Sequence, residues 1–264
     1  MNTTTSLFVS HGAPTYGIEP GLAGAQLGKL GRVLDKPSAI VVVSPHWMTP
    51  GIEITVTLQP HTIHDFGGFP RALYSLQYPA PGAPKLAQQI QQLLTSQGLP
   101  ARLDTHRGLD HGAWVPLLHL YPDADVPTVQ VSLPLDTNEA KAIALGRAMA
   151  PLAQEGVLII GSGSLTHNLY EVRMDDADVA AASYAKDFVH WVRQTVVDGD
   201  IARLQQTLQI APHAYRAHPT TEHFLPLLVA AGAGSMDAVT VLDGGIRYGV
   251  LSMESYLFGR QLEI

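Results

Sequence analysis

Twelve histidines are distributed over a chain of 264 residues that contains no cysteine. Imidazole titrates near neutral pH and is the commonest metal ligand in its neutral form, so these side chains could carry acid–base or metal chemistry. The absence of cysteine excludes disulfides, zinc–thiolate sites and cysteine nucleophiles. Any transition metal would therefore need histidine and carboxylate ligands.

Three of the histidines follow short apolar segments that are typical of buried strands. His11 comes after SLFVS, His46 after AIVVVSP, and His167 after VLIIGSGSLT. In an open α/β sheet, ligands gather outside the carboxyl ends of the parallel strands. If the three strands are parallel neighbours, we expect these imidazoles to converge on one crevice. The alternative for each residue taken alone is an ordinary hydrogen-bonded loop histidine.

Two further histidines lie near predicted helix starts. His111, in LDHGAW, precedes a short apolar helix, and His223, in HPTTEHF, is expected in the first turn of a helix capped by Thr220 or Thr221. A cation is unfavourable at a helix N-terminus, so His223 should be neutral there. Neutral imidazole is the form that binds metal. The alternative for His223 is an ordinary residue of a capping turn.

Several common catalytic motifs are missing from the sequence. Gly161–Thr166 reads GSGSLT, which has two glycines of a dinucleotide-binding loop but lacks the third and also lacks the lysine of a phosphate-binding loop. Neither the GxSxG elbow of serine hydrolases nor the HExxH motif of zinc proteases occurs. The histidines thus remain the strongest chemical signal.

The elements that must position them alternate between short β-branched runs and longer helical patterns. The predicted strands are Ser6–Ser10, Ala39–Ser44, Ile52–Leu58, Thr128–Leu133, Val157–Ile160, Ala238–Leu242 and Tyr248–Met253. The predicted helices are Gly21–Leu34, Pro84–Ser96, Trp114–Leu120, Thr137–Ala153, Asp178–Val197 and Thr221–Ala231, the fourth with Asp136 as its N-cap. Continuously apolar strands favour a mostly parallel or mixed sheet covered by helices on both faces. No repeat or linker divides the chain, so residues 1–264 are predicted to form one α/β domain.

Composition restricts the class of protein. Hydrophobic residues make up 46% and charged residues 15% of the chain, which excludes intrinsic disorder. The formal charge of −7 disfavours a nucleic-acid partner. The apolar runs are too short to span a bilayer, and Met1–Ser10 lacks the features of a secretion signal. A cytoplasmic enzyme with no membrane or nucleic-acid partner is therefore expected.

Six motifs, in this order, resemble the class III extradiol ring-cleaving dioxygenase superfamily of the protocatechuate 4,5-dioxygenase type, and in particular its DOPA 4,5-dioxygenase branch. They are SHGAP at Ser10–Pro14, SPHW at Ser44–Trp47, HDFGGFP at His64–Pro70, DHGAWVPL at Asp110–Leu117, GSGSLTHNL at Gly161–Leu169 and HPTTEHFLPL at His218–Leu227. The resemblance covers nearly the whole chain. It implies a metal-dependent dioxygenase that opens the ring of a DOPA-like catechol with O₂ to give a semialdehyde.

The resemblance also implies one non-haem divalent metal per chain, with His11, His46 and His223 as ligands. Fe(II) would serve ring cleavage, and zinc is the other ion expected at such a site. His167 is implied as the catalytic acid–base, close enough to act as a ligand in a resting zinc form. The wider superfamily has a carboxylate as its third ligand, whereas this sequence has His223 with Glu222 beside it. Three neutral ligands leave the metal its full charge, which favours an anionic catecholate.

Other residues in or near these motifs are candidates for catalytic or supporting roles. His111 is a second catalytic candidate, and His218 and Asn168 are expected to orient the ligands. His64 belongs to a loop, His61–Tyr78, that is expected to close over an aromatic substrate.

Two questions stay open at this level. A zinc hydrolase could use the same histidine cluster, and a non-catalytic metal-binding protein is a third reading. A DOPA-like substrate would need a partner for its carboxylate, for which Arg71, Arg216 and Arg247 are candidates.

Overall fold

The computed structural model describes residues 4–264, so the prediction for Met1–Ser10 lies partly outside the described residues. The strands within this range are β1 (Ser6–Ser10), β2 (Ala39–Thr49), β3 (Ile52–Thr55), β4 (Ala101–Asp104), β5 (Thr128–Pro134), β6 (Val157–Gly163), β7 (Val239–Leu242), β8 (Ile246–Arg247), β9 (Leu251–Ser252) and β10 (Ser255–Phe258). The α-helices are α1 (Gly21–Val33), α2 (Pro84–Ser96), α3 (His111–Leu120), α4 (Glu139–Met149), α5 (Ser183–Val197), α6 (Ile201–Gln205), α7 (Thr207–Ile210), α8 (Ala214–Ala217) and α9 (Leu225–Ala233).

Eight strands form one mixed sheet in the order β4-β3-β5-β2-β6-β1-β10-β7. The four central strands, β5, β2, β6 and β1, are parallel to one another. Antiparallel pairs then join β3 to β5 and β10 to β1. This arrangement confirms the predicted mostly parallel or mixed sheet.

Alternate residues of the central strands pack into two separate cores. Val41 and Val43 of β2 belong to a core shared with α4, α5 and α9, whereas Ile40 and Val42 belong to another shared with α1 and α3. Successive side chains of a strand point to opposite faces, so a continuously apolar strand can be buried only between two helix layers. The sequence of β2 thus explains why helices cover both faces.

The strand predictions fail mainly near the C-terminus. Tyr248 and Gly249 have positive φ angles of 54° and 80°, which interrupt the predicted strand Tyr248–Met253 and leave only β9. The sheet strand is β10, which follows it and was not predicted. Strands β4 and β8 were missed as well, because four and two residues carry little periodic signal.

The helices next to His111 and His223 do not begin at the predicted residues. His111 is the first residue of α3 instead of preceding the helix. His223 lies in a turn before α9, whose N-cap is Phe224 and not Thr220 or Thr221. The N-cap of α4 is Asn138 and not Asp136, because the Asn138 side chain accepts a hydrogen bond from the Lys141 amide.

Within residues 4–264, no helix is long and apolar enough to cross a membrane. The cytoplasmic location remains a prediction from composition.

Candidate metal centre

The parallel central strands bring the first histidines together. β1 and β2 pair in parallel with the two sides of β6, so the carboxyl ends of all three strands lie at the same end of the sheet. His11 directly follows β1, and His46 lies in β2 where the pairing register with β5 shifts between Val43 and Met48. The histidines predicted from strand ends therefore meet at one edge of the sheet.

His223 reaches the same place because glycines allow its segment to lie against β6. An added Cβ at Gly163 would come within 2.3 Å of the His223 carbonyl oxygen, and one at Gly161 within 2.0 Å of the Pro226 carbonyl oxygen. The Ser164 amide also donates to the His223 carbonyl at 2.9 Å. The glycines that resemble part of a dinucleotide loop thus serve close backbone packing.

The imidazoles of His11, His46 and His223 form a triad that has the spacing of a metal site. One ring nitrogen from each lies within 4.8 Å of the others, and the Nε2 atoms of His11 and His46 are 3.1 Å apart. The Nε2 atom of His223 is buried without a hydrogen-bond partner. An orphaned buried nitrogen beside two other imidazole nitrogens is an arrangement whose hydrogen-bonding deficit a divalent cation would satisfy.

The tautomer of His11 follows from its hydrogen bonds. The Ser162 hydroxyl donates its single proton to the Gly112 carbonyl oxygen, so it can only accept from the ring. The His11 Nδ1 atom, 3.0 Å away, must therefore be the donor. This leaves the Nε2 lone pair of His11 free to face the His46 ring.

The other two rings of the triad also have an oxygen near Nδ1. Glu222 Oε1 lies 3.1 Å from the Nδ1 atom of His223. Asp65 Oδ2 lies 3.6 Å from the Nδ1 atom of His46. Oxygen partners of this kind commonly orient metal-binding histidines. The donor set consists of imidazole nitrogens and suits a borderline divalent ion such as iron or zinc.

Burial keeps these rings neutral. Desolvation lowers the pKa of His11 and of His223 well below the ordinary value, and neighbouring imidazoles lower each pKa further. For His46, burial and then the charge of His111 lower the pKa to about 3, although Asp65 opposes the shift. Neutral rings are the form that a metal requires.

The same depressed pKa values predict acid sensitivity of the metal-free protein. In the unfolded chain these histidines bind protons below pH about 6.5. In the folded chain, burial also lowers the pKa of His218 to about 4. Stability is therefore fully present above pH about 6.5 and decreases as the pH falls from there toward the folded pKa values, by about 1.4 kcal/mol per pH unit for each such group. Melting scans in EDTA from pH 7.5 to 5 should show a falling melting temperature, and a flat profile would contradict the buried neutral cluster.

His167 stacks directly on the triad. Its ring lies 3.5 Å from that of His223, centre to centre, with 9° between the planes. A backbone hydrogen bond of 2.8 Å from the His167 amide to the Ala217 carbonyl fixes its loop. Burial lowers the pKa of His167 to about 4, although the charge of Glu222 opposes the shift. The ring is half-buried, so one side of His167 remains open to the cavity described below.

His111 occupies the opposite side of the cluster. Its ring centre is 4.0 Å from that of His46, and its backbone starts α3 with Asp110 as N-cap. Asp65 Oδ1 accepts from the His111 amide at 2.9 Å, and Oδ2 lies 3.0 Å from Nδ1, off the line of a hydrogen bond. Both predicted catalytic histidines therefore border the triad, on different sides.

The three residues expected to support the site, His218, Asn168 and His64, lie farther from the triad than His167 and His111. His218 is buried, and its Nε2 atom donates a hydrogen bond to the Leu165 carbonyl oxygen at 2.9 Å, two residues before His167. Asn168 donates to the Arg216 carbonyl at 2.8 Å. His64 donates from Nε2 to the Leu76 carbonyl at 3.0 Å and is held among aromatic rings. These contacts fix loops around the site, and none of them reaches the triad.

A cavity of about 370 Å³ opens over the cluster. It is lined by His11, Gly12, Ala13, Pro14, His46, Phe66, Phe69, His111, His167, Leu169, Val172, Met174, His223 and Leu251. Its walls beyond the imidazoles are apolar, and Phe66 presents its edge to His111 at 5.7 Å between ring centres. A cavity with an apolar wall and a polar floor fits a flat aromatic ring that carries adjacent oxygens.

In the described part of the chain, no lysine or arginine side chain lines this cavity. Of the arginines expected to bind a substrate carboxylate, Arg216 is held by both oxygens of Glu171, and Arg247 lies 3.6 Å from Glu19 and from Asp178. Arg71 lies in a short 3₁₀ helix and is exposed. None of the three reaches the cavity floor.

Sequence reasoning missed two polar residues that support the histidines. Asp65 lies in the HDFGGFP motif, but the loop has no periodic pattern that would place its side chain. Ser162 lies between two glycines of β6 and gives no signal apart from being a polar residue in an apolar strand.

Comparison with known proteins agrees with this geometry. Residues 8–259 match the family described as the catalytic LigB subunit of aromatic ring-opening dioxygenase. A protein named 4,5-DOPA dioxygenase extradiol from Escherichia coli (strain K12) is 40% identical over 258 residues, covering 96% of this chain and 94% of that protein. A protein of the same name from Beta vulgaris is 38% identical and covers 97% of each chain. The crystal structure of the uncharacterized protein JW3007 from Escherichia coli K12 has a TM-score of 0.80 and 34% identity, with 97% of this chain and 100% of that chain covered.

Proposed function

Because the chain belongs to the LigB family of aromatic ring-opening dioxygenases and is an extradiol ring-cleaving oxidoreductase, we propose that it opens a DOPA-like catechol with one Fe(II) ion held by His11, His46 and His223. Members of this family are non-haem metal enzymes that use a catechol and O₂. The observation that supports the three ligands is the buried triad of imidazole nitrogens, with its orphaned His223 Nε2. Zinc fits the same donors and is the second ion that the site would bind.

When bound, the metal would supply Lewis acidity that lowers the pKa of a catechol hydroxyl, together with open positions for the two substrates. The protein supplies the remaining groups. A ring nitrogen of His167 accepts the proton of the second hydroxyl and later returns it to an oxygen atom of the opened ring, since the open side of this neutral ring faces the cavity. His111, whose ring packs against that of His46, lines the same cavity and is the second catalytic candidate.

The apolar wall orients the substrate and excludes water. Phe66 and Phe69 border the cavity from the loop that was expected to cover an aromatic substrate. A catechol ring packed against them would keep its two oxygens toward the imidazoles. Exclusion of water strengthens the electrostatic interactions of the buried rings with the substrate.

Truncation of the aromatic wall should weaken substrate binding. We expect Phe66→Ala to raise KM for the catechol about 2- to 10-fold, because an aromatic contact contributes about 0.5–1.5 kcal/mol. Phe66→Leu, which keeps an apolar side chain, should raise KM less. Steady-state kinetics on the iron-loaded variants measure this, and an unchanged KM for Phe66→Ala would remove Phe66 from the binding site.

The substrate is tested by a panel of catechols offered to the ferrous enzyme. The panel contains L-DOPA, dopamine, 3,4-dihydroxyphenylacetate and 4-methylcatechol, with product absorbance and oxygen uptake as readouts. We expect a yellow semialdehyde and the largest kcat/KM with a catechol that carries an amino-acid side chain. A larger kcat/KM for 4-methylcatechol than for L-DOPA would contradict a DOPA-like substrate while leaving ring cleavage intact.

A further inference from the structure

The carboxylate of Asp65 is an acidic group beside the cluster that the proposed mechanism does not use. It lies in the loop between β3 and α2, and its side chain is one-fifth exposed. Oδ1 accepts from the backbone amide of His111 at 2.9 Å, a group at the start of α3 that has no partner within the helix. This hydrogen bond fixes the direction of the carboxylate.

The other oxygen of Asp65 faces two imidazoles. Oδ2 is 3.0 Å from the Nδ1 atom of His111 and 3.6 Å from the Nδ1 atom of His46. Neither contact is a hydrogen bond, because the first is off line and the second is too long, but the negative charge of the carboxylate favours the tautomer that carries its proton on the nearby Nδ1 atom. In that tautomer the Nε2 atom of His46 is a free acceptor, 3.1 Å from the Nε2 atom of His11.

We propose that Asp65 is a positioning residue that sets the ring orientation and tautomer of a metal ligand, His46, and of a catalytic candidate, His111, at the same time. The proposal rests on the metal site described under the proposed function. One carboxylate thereby links the two sides of the site, and Phe66, the next residue, lies in the cavity wall. The Asp65 carboxylate also has ligand spacing to His46 and His111, but in this proposal it acts through the two imidazoles and not on the metal itself.

The positioning role of Asp65 can be tested separately from the stability of its loop, because other hydrogen bonds hold that loop in place. The Ile63 amide donates to the Leu109 carbonyl at 2.8 Å, and the Leu109 amide donates to the His61 carbonyl at 2.9 Å. The Trp114 indole donates to the Ile63 carbonyl at 2.8 Å. These bonds fix the same loop without Asp65, so a substitution there should leave the fold intact.

Asp65→Asn tests the proposal because it removes the negative charge that faces the two Nδ1 atoms without changing the shape of the side chain. The carboxamide oxygen can still accept from the His111 amide, but its NH₂ group would donate to Nδ1 and move the imidazole proton to Nε2. We expect the affinity for Zn²⁺, measured by competition with a chromophoric chelator, to fall about 10- to 100-fold. The control is Asp123→Asn, the same change at an exposed residue beyond the far end of α3, which should bind Zn²⁺ like the wild type.

The tautomers can also be read in the unmodified protein. Long-range ¹H–¹⁵N correlation spectra of the Zn²⁺-loaded wild type should show His46 and His111 protonated on Nδ1, with Nε2 as the ligand nitrogen of His46. The Nε2–H tautomer at His46 would overturn the proposal, whether or not the variant folds. So would an Asp65→Asn protein that binds Zn²⁺ as tightly as the wild type.

The experiment distinguishes failure of the proposed metal site from failure of the proposed role of Asp65. If wild-type protein bound no Zn²⁺ at one ion per chain, the proposed function would fail before Asp65 was tested. If the wild type bound one ion and Asp65→Asn bound it equally well, only the role of Asp65 would be lost.

Discussion

His11→Ala is expected to abolish metal retention and with it ring cleavage. His11 is buried, its Nε2 atom lies 3.1 Å from that of His46, and Ser162 holds its proton on Nδ1. Alanine leaves two imidazoles, and loss of only an orienting partner already costs metal sites about 10- to 100-fold in affinity. Loss of a ligand itself should cost more, so that dialysis against a mild chelator leaves the variant without metal.

The measurement is metal content per chain by mass spectrometry after iron loading and dialysis. His190→Ala is the matched control, because His190 is exposed on α5 and far from the cluster. The control should retain one ion per chain. Retention of wild-type stoichiometry by His11→Ala would remove His11 from the ligands.

His167→Ala should lower turnover strongly while the protein still binds metal. His167 stacks on His223 and is not part of the triad of His11, His46 and His223, although its ring has ligand spacing to Glu222 and His223. Loss of a positioned general base typically lowers the rate about 10²- to 10⁴-fold. We therefore expect kcat to fall by that factor, with iron content close to that of the wild type.

Iron content and turnover across pH, measured side by side for wild type and variant, distinguish base from ligand. If the variant loses iron as completely as His11→Ala, His167 is primarily a fourth ligand and the base must be sought at His111. If it keeps both iron and full activity, the proposed acid–base role is wrong. A loss of turnover with iron retained would support His167 as the general base.

The sequence predicts the parts of the site that depend on regular structure. His11 and His46 could be placed because continuously apolar strands imply parallel neighbours whose carboxyl ends meet. His223 could be linked to them only through a family resemblance, since the close approach of its turn to Gly163 is a tertiary contact. No local pattern of residue types encodes that distance.

The parts that could not be predicted lie in irregular segments. Asp65 lies in a loop whose conformation depends on hydrogen bonds to the Leu109 backbone and to the Trp114 indole, far along the chain. Strand β10 was missed because positive φ angles at Tyr248 and Gly249 move the last strand downstream of the apolar run. Long-range hydrogen bonds thus override the local pattern at Asp65, whereas a left-handed turn interrupts the apolar run before β10.

The central claim is that the imidazole triad holds one divalent metal that serves oxygen-dependent ring cleavage. The most direct test is anaerobic reconstitution with one equivalent of Fe(II), followed by catechol and a measured quantity of O₂ in a closed electrode cell. The account predicts one O₂ consumed per catechol, formation of the semialdehyde, and no reaction in the zinc-loaded protein. Turnover by the zinc-loaded protein with no uptake of O₂ would contradict it, because that result is expected of a zinc hydrolase using the same histidines.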